Sequence, residues 1–332
     1  MKIHFLLAAL LLALAGCASG NATLRSELGR APEVLFCPED NCADRLVKLV
    51  LGAQESVHCA FYSLELEELV TALDEQAKRL DVALVLDGKH ADKALELGSK
   101  LKITSSHGPG LMHNKFCIID RETVATGSFN PTRSDAKINA NNLLVLHSQA
   151  IAANYEEEFA ELAAGRFGGG RRTAQPSVLF NGKLIESYFC PEDWCANRIG
   201  SAISGANRTI RFVTFSFTLD ALGEALLDAA SRGVDVAGLF DDSQLSEWSE
   251  YWKLARTGLN VSVWEGPALL HHKFFVIDNE IVITGSFNPT KAGESSNDEN
   301  LLVLHNPELA ARFVEEFEKL RAKTKISSSS LS

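Results

Sequence analysis

The 332-residue chain lacks three things. It has no surplus of positive charge: 32 lysines and arginines face 43 aspartates and glutamates, a formal net charge of −11. Removing residues 1–17 as a targeting segment takes away one lysine and no acid, so the remainder is more acidic still. An acidic surface is poorly suited to tracking a polyanion. Beyond its first residues the chain has no apolar run long enough to cross a bilayer. It also has no His, Cys, Asp and Glu cluster at metal-ligand spacing beside its motifs, so chemistry without metal or cofactor is expected.

What is present begins with an export signal. Lys2 supplies the charge and Phe5 to Ala15 the apolar region, eleven residues that are too few to span a membrane. Leu14-Ala15-Gly16-Cys17 resembles the bacterial lipobox, in which Cys17 becomes the lipidated first residue. Ala18 after it resembles the outer-membrane default of Gram-negative bacteria, which implies a lipid anchor on the periplasmic face. The alternative is an ordinary cleaved signal with a coincidental Cys.

One pattern then occurs twice. His113-Asn114-Lys115-Phe116-Cys117-Ile118-Ile119-Asp120 is followed by Gly127-Ser128-Phe129-Asn130, and His271-His272-Lys273-Phe274-Phe275-Val276-Ile277-Asp278 by Gly285-Ser286-Phe287-Asn288. Both read H-x-K-x4-D-x6-G-S-x-N. The apolar run after each Lys predicts a buried strand, and Thr123-Val124-Ala125-Thr126 a second, joined by a two-residue loop at Arg121-Glu122. That loop puts Lys115 opposite Ser128 and His113 opposite Asn130, with Lys273 opposite Ser286 and His271 opposite Asn288. Strand side chains alternate, so these four polar groups share one face. Asp120, an odd step from His113, points to the other face and reads as structural, as does Asp278.

On these residues the chain resembles the phospholipase D superfamily, in whose members two H-x-K-x4-D motifs meet at one site. The G-S-F-N ending is most similar to its small nucleases and cardiolipin hydrolases. The resemblance covers essentially everything beyond residue 33 and implies an α/β fold: two tandem α/β sandwich domains related by a pseudo-two-fold axis, with the active site complete in a monomer.

The rest of the chain fits a duplication. Residues 1–17 are the signal, 18–33 a tether, 34–164 the first domain, 165–178 a linker rich in Gly and Arg, 179–323 the second domain and 324–332 a frayed tail. Each repeat runs helix (Ala43 to Ala53; Ala196 to Ala206), strand (Ser56 to Tyr62; Thr209 to Phe215), helix (Leu66 to Arg79; Leu219 to Arg232) and strand (Asp81 to Leu86; Asp235 to Phe240). After the H-x-K hairpin come a strand (Asn142 to Leu146; Asn300 to Leu304) and a closing helix (Ala152 to Ala164; Pro307 to Lys323).

Apart from Cys17, the cysteines divide into two kinds. Cys37/Cys42 and Cys190/Cys195 form C-x4-C loops, which in an exported protein read as two local disulfides; a shared four-cysteine zinc site is the alternative. Cys59 and Cys117 lie in apolar strands and read as inert core thiols.

A phosphodiester needs a nucleophile, an acid for the leaving oxygen and cover for the non-bridging oxygens. One His can attack phosphorus while the other protonates the alkoxide. Lys115, Lys273, Asn130 and Asn288, with Ser128 and Ser286 behind them, would stabilise the oxyanion. A lone H-x-K is usually structural, and His58, His90, His107, His147 and His305 are read that way. Twenty-eight residues past the motif His, the second copy has Glu299 and the first Asn141. Glu299 resembles the family residue that orients the catalytic His. If it contacts His271, its charge favours the imidazolium there, making His271 the acid and His113 the nucleophile.

The resemblance leaves the substrate class open. Phospholipid head groups fit a lipid-anchored, acidic protein, and Trp248, Tyr251 and Trp252 can form a rim contact or a helix core. Nucleic acid fits the short repeats, with Lys89, Lys93, Lys100, Arg133, Lys137 and Lys291 lining a groove or a solvated face. A non-catalytic envelope-binding protein is the third reading.

Overall fold

The structure is a computed structural model that describes residues 24–97 and 101–324. The export signal with Cys17, Lys100 and the tail beyond Thr324 lie outside the described residues.

Two mixed sheets carry the fold. In the first, seven strands run in the order Glu33–Cys37, Asn141–His147, Thr123–Gly127, Lys115–Ile119, Ser56–Phe61, Asp81–Leu86 and Ile103–Ser105. In the second, Lys183–Cys190, Glu299–His305, Ile281–Gly285, Lys273–Ile277, Thr209–Thr214, Asp235–Asp241 and Asn260–Trp264 repeat that order. The central strands Ser56–Phe61 and Lys115–Ile119 are buried along their whole length. Strands covered on both faces need apolar side chains on both, which is why these segments lack alternation. The crossover from Ser56–Phe61 to its parallel neighbour is made by the helix Glu67–Gln76, and in the second half by Asp220–Ser231.

One core cluster lies between the sheets, where the closing helices Gln149–Ala163 and Pro307–Lys323 contribute Tyr155, Phe159, Phe313 and Phe317. Two further clusters lie under the outer helices of each half. The interface between halves is therefore continuous core, which fixes their relative position as firmly as packing fixes a single domain.

The structure corrects several expectations. The hairpin turn does not centre on Arg121-Glu122. Asp120 and Arg121 take it, with φ of 54° and 56°, and Glu122 N donates to Ile119 O at 3.1 Å. Asp and Asn tolerate left-handed backbone better than other side-chain-bearing residues, and Asp278-Asn279 does the same in the second half. Phe116 consequently faces Thr126. The register runs one residue earlier than expected, so Lys115 stands opposite Gly127, not Ser128, and Lys273 opposite Gly285, not Ser286.

Cys59 and Cys117 are not free thiols. They face each other across antiparallel strands with Cα atoms 4.1 Å apart and form a disulfide. In the second half Phe212 and Phe275 hold the equivalent places, stacked at 5.6 Å. Gly238 lies under the Phe212 ring, where a Cβ would come within 2.0 Å of it. Disulfides also join Cys37 to Cys42 and Cys190 to Cys195.

The expected tether contributes a strand, Arg25–Glu27, parallel to Ser177–Phe180 at the edge of the second sheet. The last residues of the expected linker 165–178 belong to a strand, Ser177–Phe180, which forms a hairpin with Lys183–Cys190. The linker is also held down: Gly168 N donates to Asp298 Oδ1 at 2.7 Å, and the Arg172 guanidinium lies 3.6 Å from the centre of the Trp194 ring.

Candidate active site

The site is assembled where the two halves exchange backbone hydrogen bonds. His113 N donates to Asp298 O and Asp298 N to Leu111 O, while His271 N donates to Ala140 O and Ala140 N to Leu269 O. The segment before each motif thus pairs with the segment before the other half's closing strand. Asp87 and Asp241, at the ends of equivalent strands, brace this arrangement by accepting from Met112 N at 3.0 Å and Leu270 N at 2.6 Å.

This pairing sets which side chains meet. His113 Nδ1 hydrogen-bonds Glu299 Oε2 at 2.8 Å, and His271 Nδ1 hydrogen-bonds Asn141 Oδ1 at 2.8 Å. The expectation that Glu299 stands beside His271 is therefore corrected: each half orients the other half's histidine. The next residue along joins the grip. Asn300 Nδ2 donates to Asn114 Oδ1 at 2.9 Å, and His272 Nδ1 lies 3.3 Å from Asn142 Oδ1. Asn114 in turn donates to Glu158, and His272 faces Glu316 at 3.8 Å, both acids on closing helices. A buried amide left without partners costs about 1–3 kcal/mol, so these contacts select one register between the halves.

The other motif residues lie around this frame. Lys115 Nζ donates to His113 O at 2.7 Å and Lys273 Nζ to His271 O at 2.9 Å. Ser286 Oγ donates to Glu299 Oε2 at 2.6 Å, while Ser128 Oγ donates to Asn142 Oδ1 at 3.1 Å and not to Asn141. Gly127 (φ 145°) turns the chain into Ser128; a Cβ there would meet Asn142 O at 2.3 Å. Asn130 donates through N and Nδ2 to Asp135 Oδ2, and the Oδ1 atoms of Asn130 and Asn288 are buried without a partner among the described residues. On the far side, Asp120 accepts from Gln54 N, Glu55 N and Ser56 N, and Asp278 from Asn207 N, Arg208 N and Thr209 N. Both bind the turn to the start of the central strand.

Burial dominates the electrostatics. His113 is pushed down to about 4, chiefly by desolvation, with Glu299 opposing and Lys115 adding to the fall. His271 is pushed well below its usual value by burial, then by Lys273, Lys115 and His113. Burial also lowers Lys115 to about 8, and burial together with the neighbouring Lys115 holds Lys273 well below its usual value. Such a site holds its bases in their uncharged forms by desolvation, and an anion entering it would favour the charged ones. With Nδ1 of each ring engaged, Nε2 is the atom left for chemistry.

Sequence reasoning missed two aromatic residues. The Tyr62 ring lies 5.0 Å from His113 and 5.2 Å from Lys115 Nζ, and Phe215 lies 4.8 Å from His271 and 5.1 Å from Lys273 Nζ. Their place at the ends of equivalent central strands was the available signal. It also missed Asp87, Asp241 and Asp135. Among the remaining histidines, His58 pairs with Glu156 and His305 with Glu186. Trp248 and Trp252 are 72% and 44% exposed, while Tyr251 packs on Phe240. Lys93 pairs with Glu65. Among the described residues no group of three or more His, Cys, Asp and Glu is arranged to hold a metal ion.

Comparison with known proteins gives this geometry a family. The chain matches the family described as "Cardiolipin synthase, PLD-like domain" over residues 46–163 and again over 199–321. It is 32% identical over 140 residues to a phospholipase D of Rickettsia bellii, an overlap of 42% of this chain and 70% of that protein. It is 34% identical over 119 residues to a mitochondrial cardiolipin hydrolase of Chlamydomonas reinhardtii, covering 36% of this chain and about half, 53%, of that one. The fold is similar to phosphatidylserine synthase of Haemophilus influenzae, with a TM-score of 0.67 over 89% of this chain and 87% of that one, at 14% identity. With both repeats matched, the chain belongs to the phospholipase D-like domain family.

Proposed function

We propose that this protein is a phosphodiesterase of the phospholipase D type, hydrolysing phospholipid head groups through a phosphohistidine. The observation that carries the reading is the crossed pair: His113 on Glu299 and His271 on Asn141, between two buried lysines.

In this reading neutral His113 keeps its Nδ1 proton in a hydrogen bond to Glu299 and attacks phosphorus through Nε2. The bond to the leaving oxygen breaks, and protonated His271 gives that oxygen its proton. The positive charge arising on the phosphohistidine lies against Glu299. Neutral His271 then takes a proton from water, which attacks phosphorus, breaks the P–N bond and returns His113. Lys115, Lys273, Asn130 and Asn288 stabilise the non-bridging oxygens. The bound phosphodiester is itself an anion and raises His271, so the acid is protonated when substrate is present. The nucleophile is the one expected from the sequence, for a different reason. Glu299 does not make an acid of His271; it orients His113 and stabilises its adduct.

Phospholipid is favoured over nucleic acid by the net acidity of the chain, the exposed Trp248 and Trp252, and the activities named for its relatives. The test incubates the protein with phosphatidylcholine or cardiolipin vesicles and, separately, with single-stranded DNA or RNA, each with and without EDTA. Phosphatidate release that survives EDTA is expected. Cleavage of nucleic acid alone replaces the lipid reading, and no product from any substrate favours a non-catalytic binding protein. Lipidation of Cys17 belongs to the same proposal: Cys17→Ala should abolish fractionation with membranes, and unchanged association and mass would end that part of it.

A further inference from the structure

The two halves treat their histidines unequally. His113 has a carboxylate at 2.8 Å, whereas His271 has only the amide of Asn141 at that distance. A second group approaches His271 Nδ1, however: Asp135 Oδ2, at 3.6 Å. Asp135 lies on the short helix Arg133–Lys137 that follows Asn130 and is 3% exposed. Thr132 Oγ1 accepts from its backbone N, as Thr290 Oγ1 does from Gly293 N, so Gly293 is its counterpart.

The exchange is reciprocal. Where the second half has Glu299 it has glycine at 293, and a Cβ there would come 2.4 Å from Asn288 O. Where the first half has Asn141 it has Asp135. The Asp135 carboxylate is also held firmly: Oδ2 accepts from Asn130 N and Nδ2, and Oδ1 from Asn139 Nδ2 at 2.7 Å. We infer that Asp135 is a positioning residue for His271, supplying from the helix the negative charge that Glu299 supplies to His113 from the strand. Each histidine then has one buried carboxylate, and the two balance Lys115 and Lys273.

The inference rests on His271 being the general acid. Its surroundings are Asn141, Asp135, His113, His272, Lys115, Lys273 and the Phe215 ring. Of these, Asp135 is the anion nearest Nδ1 and the one that favours imidazolium. Removing it makes the acid lose its proton at lower pH.

The test uses the full chain and two phosphodiesters, one with an alkyl leaving group and one with p-nitrophenol, which leaves without a proton. With the alkyl ester, Asp135→Asn should lower kcat on the order of 10²-fold and move the basic limb of the kcat profile down by about one pH unit or more. With the p-nitrophenyl ester the first-turnover burst of p-nitrophenol, released before His271 acts as base, should change little. Asp135→Gly combined with Asn141→Glu, which copies the second half's solution, should recover activity to within about tenfold of the unsubstituted protein. Melting curves of each variant establish that it is folded.

An equal loss of alkyl-ester turnover and of the p-nitrophenol burst, with no shift of the limb, makes Asp135 a residue that only holds Asn130 and Asn139 in place and overturns the inference. So does a folded double variant as impaired as Asp135→Asn. His271→Ala is the control for the underlying reading. If it too loses the first-turnover burst of p-nitrophenol along with the alkyl ester, the assignment of His271 as acid fails, and the inference falls with it. If it spares that burst while Asp135→Asn does not, the inference alone fails.

Discussion

Glu299 accepts a hydrogen bond from the histidine of the other repeat, His113, at 2.8 Å, and takes a second from Ser286 Oγ on the same oxygen. It is fully buried. Glu299→Gln keeps the size and removes the charge. By analogy with a triad aspartate, kcat should fall on the order of 10³- to 10⁴-fold with KM little changed. In the unsubstituted protein, acid quenching during turnover and peptide mapping should find the phosphoryl adduct on His113. An adduct on His271 would reverse the two roles.

Because each half orients the other's histidine, the halves act as one unit. His113→Ala and His271→Ala should each remove nearly all hydrolysis of an alkyl phosphodiester. The double variant should be hardly worse, since the residues are strongly non-additive. Two half-active single variants would point to independent sites.

Proton uptake on binding follows from the depressed histidines. His113 sits near 4 and His271 well below its usual value, so both are neutral at pH 7 in the free protein. A bound phosphodiester monoanion raises both, and a group whose affinity for protons rises on binding takes protons up. Dimethyl phosphate does not itself titrate near neutrality. Calorimetry in buffers of different ionisation enthalpy should therefore show uptake, approaching one proton per site at pH 7, and affinity should weaken as pH rises. Release of a proton, or no exchange, would contradict this electrostatic account.

Of the three disulfides, Cys59–Cys117 closes much the longest loop, with a sequence separation of 58 against 5 for the other two. Loop-closure entropy makes it worth on the order of 4 kcal/mol, against about 2 for a short loop. Cys59→Ala with Cys117→Ala should lower the unfolding free energy in urea by more than Cys37→Ala with Cys42→Ala. The opposite order would show that local loop geometry matters more than loop length.

Much of the fold was legible in the sequence because its signals are local. The duplicated spacing, the apolar strand runs and the C-x4-C loops need no knowledge of tertiary partners. The ties of Asp120 to Gln54, Glu55 and Ser56 come from its place in the turn, where strand alternation no longer applies. Three features were not legible. The hairpin register depended on Asp120 taking left-handed backbone, a preference of Asp that competed with strand continuation. The pairing of Glu299 with His113 depended on how the halves cross, which no repeat encodes within itself. Cys59 and Cys117 became partners through an antiparallel register between strands 58 residues apart. The second copy carried a clue, since Phe212 and Phe275 occupy the same two places. Asp135 and Gly293 had a similar clue in the reversed order of acid and non-acid relative to Asn141 and Glu299.

The inequality of residues 141 and 299 has a consequence for substrate handling. With identical partners, either ring could attack and either could donate, and a phosphodiester could bind productively in both orientations. Glu299 in direct contact with one ring, and an amide with a more distant carboxylate beside the other, remove that degeneracy. In the proposed mechanism the departing alcohol leaves on the His271 side, beside Phe215, and the retained ester stays with His113, beside Tyr62. The catalytic pair thus acquires a polarity, and each flank can be shaped for a different part of the same molecule.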